Sequence, residues 1–195
     1  MHRKNIDLMA PVGSYESLMA AIQAGANSVY FGIEKLNMRA RSSNNFTFDD
    51  LKNIVNICNE AAVKTYLTVN TIIYDHELEK MRQIIDAAAE SKVTAIIASD
   101  IAVMQYAFSK KVEIHASTQL NISNIEAVEF YSRFCDVIVT ARELTLDQVA
   151  DIVHLIKKRK IILVLFQFQK LLRLLLLLAL QQALQLFLLQ RLLLR

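Results

Sequence analysis

Glycine and proline are scarce: three and one in 195 residues, against average usage of roughly 7% and 5%. A chain that alternates strands and helices needs left-handed residues to close its helices, and glycine is the usual choice. The shortage is therefore a warning about the text of the sequence. Tryptophan is absent, and the two cysteines, Cys58 and Cys135, lie far apart in no CxxC pattern. That leaves no visible disulfide or metal framework, and no metal site is expected from the residues. Cys58 shares an apolar helical stripe with Leu51, Ile54 and Val55, so a buried thiol is expected there rather than a reactive one. Acidic residues are missing beyond position 160, where Lys170, Arg173, Arg191 and Arg195 stand alone. Without those four, the first 160 residues hold 18 basic against 19 acidic side chains, so the net +3 belongs to the tail. The body gives no bulk electrostatic argument for nucleic acid, although a local basic patch is compatible with it. The N-terminus has no apolar run long enough for a signal peptide, and the expected location is cytoplasmic.

What is present is a repeated alternation of short β-rich runs and amphipathic helical stretches. Strands are expected over 6–12, 28–33, 64–70, 95–100, 112–118, 137–142 and 161–168. Helices are expected over 15–26, 48–62, 75–91, 101–109, 125–134 and 146–159. Ser14 and Thr47 stand where N-caps belong, and Thr47 with Asp50 approximates a capping box with Asp in place of Glu. Six strand–helix units plus a seventh strand, joined by short connections, imply parallel pairing. Both a doubly wound open sheet and a (β/α) TIM-type barrel fit the alternation, and the barrel is preferred. Polar residues end several different strands (Asn70, Asp100, Ser117 with Gln119, Arg142 with Glu143), as a barrel's active face requires. An open sheet would gather them at one switch point, and no GxGxxG or P-loop follows any strand.

The last 25 residues differ: 15 are leucine, and across 161–195 no Gly, Pro, Ser, Thr, Asp, Asn or Glu punctuates the run. Gln181, Gln182 and Gln185 interrupt it before about 18 apolar residues accumulate, against a membrane helix. The leucine spacing follows no heptad, against a coiled coil. The composition is what side chains assigned by size alone would give. That reading is preferred to a buried or coiled helix, and that in turn to a membrane helix. The organisation expected is thus an incomplete barrel over 1–168 and a leucine-rich helical segment of doubtful text over 169–195.

Three stretches carry a family resemblance. LMAPVGSYESL at 8–18 with AGANSVYFG at 24–32, LNMRARSSNNF at 36–46, and EIHASTQLNISN at 113–124 followed by ARELTLDQ at 141–148 are similar to the peptidase U32 family, long named collagenase-like. TVNT at 68–71 and ASD at 98–100 agree as well. The chain departs from the family in having Ala61-Ala62 and Ser91-Lys92 where glycine usually precedes strands three and four. It also lacks the later cysteines that hold a [4Fe-4S] cluster in the family, so the cluster is implied by the resemblance without ligands in this sequence. The resemblance further implies hydroxylation of tRNA or rRNA bases, or oxygen-independent hydroxylation in quinone biosynthesis, with prephenate as a hydroxyl source.

The residues suggest where such chemistry would sit. Period-two alternation puts Glu113, His115, Ser117 and, in an extended strand, Gln119 on one face of strand five, which a barrel turns inward. His115 is either a general base or a buried histidine satisfied by polar neighbours. Asn70 and Asp100 are the other proton-transfer or orienting candidates. Arg39 and Arg41, with Asn44 and Asn45, suit a small carboxylate or a phosphate, or are solvated surface charge. Ser117, Gln119, Asn121, Arg142 and Glu143 complete the candidate substrate-binding set, with Arg142–Glu143 read as an ion pair or Arg142 as a ligand contact. No HExxH or GxSxG supports the peptidase name. The leading expectation is therefore an enzyme that hydroxylates tRNA bases. A protease acting on unfolded protein and a non-catalytic partner subunit in quinone hydroxylation are the alternatives, and no membrane role is expected.

Overall fold

A computed structural model describes residues 7–38, 46–156 and 162–164. The strands are β1 (Met9–Pro11), β2 (Ser28–Phe31), β3 (Lys64–Val69), β4 (Ala95–Ala98), β5 (Ile114–Ala116), β6 (Val137–Val139) and β7 (Ile162–Val164). They form one sheet in the order in which they occur, and every neighbouring pair is parallel. Nowhere does the order reverse, so there is no switch point of the doubly wound kind. Between the strands run α1 (Tyr15–Gln23), α2 (Phe48–Glu60), α3 (Leu78–Ser91), α4 (Ile101–Ser109), α5 (Ile125–Tyr131) and α6 (Leu146–Leu155).

Capping chemistry sets the helix starts. Ser14, Thr47, Asp100, Asn124 and Thr145 each accept a backbone N–H with the side chain. Thr47 and Asp50 exchange both bonds of a capping box, as expected. Residues 75–77 form a 3-10 turn ahead of α3 rather than its first turn. The helix ends carry the mark of the glycine shortage. Ala62, Lys92 and Lys111, at φ 55°, 59° and 59°, adopt the left-handed conformation just before β3, β4 and β5. Gly25 does the same with φ +81° before β2, and does so without a side chain to strain.

One face of the sheet packs on the helices. Phe31, Leu67, Val69, Ile96, Ala98, Ile114, Ala116 and Ile138 are fully or almost fully buried there. They belong to one cluster with Leu51, Ile54 and Cys58 of α2, Met81, Ile84 and Ile85 of α3, and Met104 of α4. Alternate residues point the other way, and side chains of β3 and β5 meet over β4. The rings of Tyr66 and His115 lie 4.8 Å apart between centroids. Two strand spacings amount to about 9.6 Å on a flat sheet, so these contacts require the face opposite the helices to be concave. The sheet is a curled half-barrel.

Candidate functional site

The concave face has two levels. The lower one lies near the strand starts, where His115 is buried and its Nε2 lies 2.8 Å from Glu113 Oε1. A carboxylate only accepts, so Nε2 carries a hydrogen in this bond and Nδ1 is the ring nitrogen left over. Tyr66 covers the histidine ring from β3. Burial is the main force pushing the Tyr66 phenol above its ordinary value, with Lys64 pulling it back. Lys64 in turn bonds Asp7 at 3.1 Å and is held above the usual lysine range chiefly by that bond.

The upper level lies at the strand ends. Asn70, directly after β3, donates from Nδ2 to Ser117 Oγ, directly after β5, at 3.5 Å. Asn70 Oδ1 accepts the backbone N–H of Met38 at 3.2 Å. Ser117 Oγ also accepts the backbone N–H of Gln119 at 3.3 Å. The segment between β2 and α2 is fastened at both ends: Ile33 bridges Phe46, and the Glu34 N–H bonds the Phe46 carbonyl at 2.9 Å. Inside that fastening, Asn37 is buried and donates to the carbonyls of Ile33 and Glu34. It sits where a side chain on Gly32 would be. Lys80 of α3 bonds Glu34 at 2.9 Å from outside.

Of the residues expected at the site, the structure brings Asn70 and Ser117 together and sets His115 on the same concave face one level lower. Ile114 and Ala116 pack into the core, which is the alternation expected for β5. Asp100 is spent on local structure. Its Oδ1 caps α4 through the Ala102 N–H at 2.8 Å, and its Oδ2 accepts the Ile73 N–H at 3.1 Å. Gln119 and Asn121 are exposed in and after a 3-10 turn, Asn121 with φ 50°. Arg142 and Glu143 are exposed after β6. Arg39 and Arg41, with Asn44 and Asn45, lie outside the described residues, as does the leucine-rich stretch. Tyr66, whose ring covers His115, and the Met38 N–H, which orients Asn70, were missed in the sequence. The β3 alternation of Tyr66, Thr68 and Asn70 was a readable signal for the first; nothing local signals the second.

An iron–sulfur cluster does not fit these residues. Cys58 lies on α2 and Cys135 packs its sulfur 3.9 Å from Met104, both buried. Burial pushes their thiols up to about 11 and about 12, with Asp136 adding to the second, which leaves both protonated. Among the described residues no group of three or more His, Cys, Asp or Glu is placed to hold a metal ion. No helix among them is long and apolar enough to cross a membrane.

Comparison with known proteins matches this architecture. The sequence model of peptidase family U32 covers residues 13–166. A Porphyromonas gingivalis protein named Collagenase is 64% identical over 152 residues, 78% of this chain and 37% of the relative. The tRNA hydroxylation protein P of Helicobacter pylori is 31% identical over 150 residues, 75% of this chain and 36% of the relative. The chain therefore spans less than two-fifths of the length of these relatives. A solved U32 peptidase structure superposes with a TM-score of 0.67 over 84% of this chain and 69% of its own, at 11% identity, a likeness of fold alone.

Proposed function

The chain belongs to peptidase family U32, and from that premise we propose that it is the barrel part of an RNA-modifying protein that hydroxylates a pyrimidine base, with tRNA as the substrate. The observation that carries this reading is the junction of Asn70, Ser117 and the Met38 N–H. It gathers hydrogen-bonding groups from two strand ends and from the loop after β2, which suits recognition of the polar edge of an extruded base. Arg39 follows Met38 directly in the chain, and Arg41 comes after the intervening Ala40. They are proposed to meet a phosphate or a small dicarboxylate such as prephenate. In this reading His115 is a base or an orienting group acting through Nδ1, while Asn70 and Ser117 bind. The oxidation itself needs a co-reactant that none of these side chains supplies, so no step is assigned to them beyond binding, orientation and proton transfer. We further propose a cytoplasmic location and that the sheet belongs to a full TIM-type barrel.

Nucleoside mass spectrometry of tRNA from a deletion strain tests the reading. The hydroxylated uridine or cytidine should disappear and return on complementation; unchanged levels would sink it. A second reading, peptidase activity on unfolded protein, is favoured by the high identity to the protein named Collagenase. Purified, sequence-verified protein that leaves gelatin intact removes that reading.

A further inference from the structure

Ser117 is 3% exposed, and its hydroxyl oxygen accepts two hydrogen bonds, from Asn70 Nδ2 at 3.5 Å and from the Gln119 N–H at 3.3 Å. A serine hydroxyl has two lone pairs and one proton. Both lone pairs are engaged, so the proton is what the group has left to give. The direction of the Asn70 amide is fixed separately. The Met38 N–H needs an acceptor, which turns Oδ1 toward Met38 and leaves the NH₂ toward Ser117, with one of its two hydrogens beyond the Ser117 bond. On the Ser117 side the junction therefore offers hydrogens and no lone pairs. A group that is itself a donor finds no partner there.

We propose that Ser117 Oγ–H and the Asn70 amide N–H together bind one sp² oxygen of the ligand, a pyrimidine carbonyl or a carboxylate oxygen, and that Asn70 is the positioning residue that sets the polarity of the pair. The proposal rests on reading this concave face as the binding site. It deepens that reading by naming the ligand atom. A pyrimidine carrying a carbonyl at the contacted position is accepted, and one carrying an amino group there is turned away with an unpaired donor on each side.

Asn70→Asp is the discriminating variant. It keeps the shape and still accepts the Met38 N–H, but it presents an oxygen to Ser117. The serine proton then turns to the new carboxylate, and the donor pair is lost without loss of the loop contact. Ser117→Ala removes the hydroxyl outright. The full chain is titrated calorimetrically with uridine, cytidine and malonate, and each variant's melting temperature is recorded. Wild type should bind uridine in preference to cytidine, or malonate; the first assigns the oxygen to a base and the second to a small carboxylate. Both N70D and S117A should weaken that binding about tenfold or more, with N70D melting as wild type does. Wild-type protein that binds none of the probes, or N70D that binds as wild type does, overturns the proposal. Its failure is separable from that of the functional reading. Unchanged RNA hydroxylation in the deletion strain, with binding lost in both variants, removes the RNA reading and keeps the donor pair. Lost hydroxylation with binding unchanged in N70D does the reverse.

Discussion

Gly32 has no room for a methyl group, because the side chain of Asn37 occupies the position where its Cβ would stand. Asn37 cannot step aside cheaply, since it is buried and bonded to two carbonyls. Gly32→Ala is expected to destabilise the protein by about 1–3 kcal/mol, the range for overpacking, read as a lower urea midpoint. Asn37→Ala in the same background should restore part of the loss, and additive effects in that double-mutant cycle would show that the two do not meet. The cysteines make a second expectation at this scale. Cys58 and Cys135, held protonated by burial, should resist Ellman's reagent at pH 8 in the native state and both react after unfolding. Their folded values of about 11 and about 12 lie above the roughly 8.5 of an unfolded thiol. Stability from these groups is therefore complete below about pH 8.5 and declines as pH rises beyond it. A native thiol that labels at once would contradict this.

At the scale of the element, the start of α2 depends on Asp50. The backbone N–H of Thr47, then the Tyr15 hydroxyl, then the Thr47 hydroxyl hold its carboxyl below the usual carboxylate range. A depressed carboxylate stabilises the fold above the unfolded value and stops doing so as pH falls below about 4. Asp50→Asn should remove that part of the acid sensitivity. Thr47→Ala should lower stability by about 1 kcal/mol, as the loss of an N-cap does. Both are read from urea midpoints between pH 3 and pH 7. The helix ends give the opposite prospect. Ala62 and Lys92 hold left-handed backbone that an L-residue adopts at a loss of roughly 1–2 kcal/mol. Ala62→Gly and Lys92→Gly should each raise the melting temperature by about 2–4 °C; an unchanged or lower value would refute the assignment.

Most elements were legible in the sequence because their signals are local. Ser14, Thr47 and the period of Leu51, Ile54, Val55 and Cys58 place the starts of α1 and α2 to the residue, while the helices end at Gln23 and Glu60, short of the expected 26 and 62. The strands are shorter than their apolar runs imply, as in β5, where only Ile114–Ala116 pairs. The inward face of β5 was legible from alternation alone. The Asn70–Ser117 contact was not, since the two lie 47 positions apart and meet only because the sheet bends. Asp100 was misread in emphasis: an aspartate directly before a helical run is a cap first.

For the molecule as a whole, the near balance of charge over the first 160 residues bears on how RNA would be held. Without a broad positive field, few phosphates are neutralised. The logarithm of an RNA association constant should fall with the logarithm of salt concentration with a slope of only about −1 to −3. A slope near about −8, measured by filter binding across a salt series, would point to an extended basic surface instead.

The consecutive strand order also has a consequence for how the protein is made. Each strand finds its partner in the one synthesised before it, so the sheet can lengthen from the N-terminus while the ribosome is still translating. Thr68 of β3 bonds the Phe31 carbonyl of β2, 37 positions earlier. At about 5–20 residues per second such an interval takes roughly 2–7 s. Throughout that time the newest strand is an open edge able to pair with another nascent chain. The exposure is renewed with every strand added.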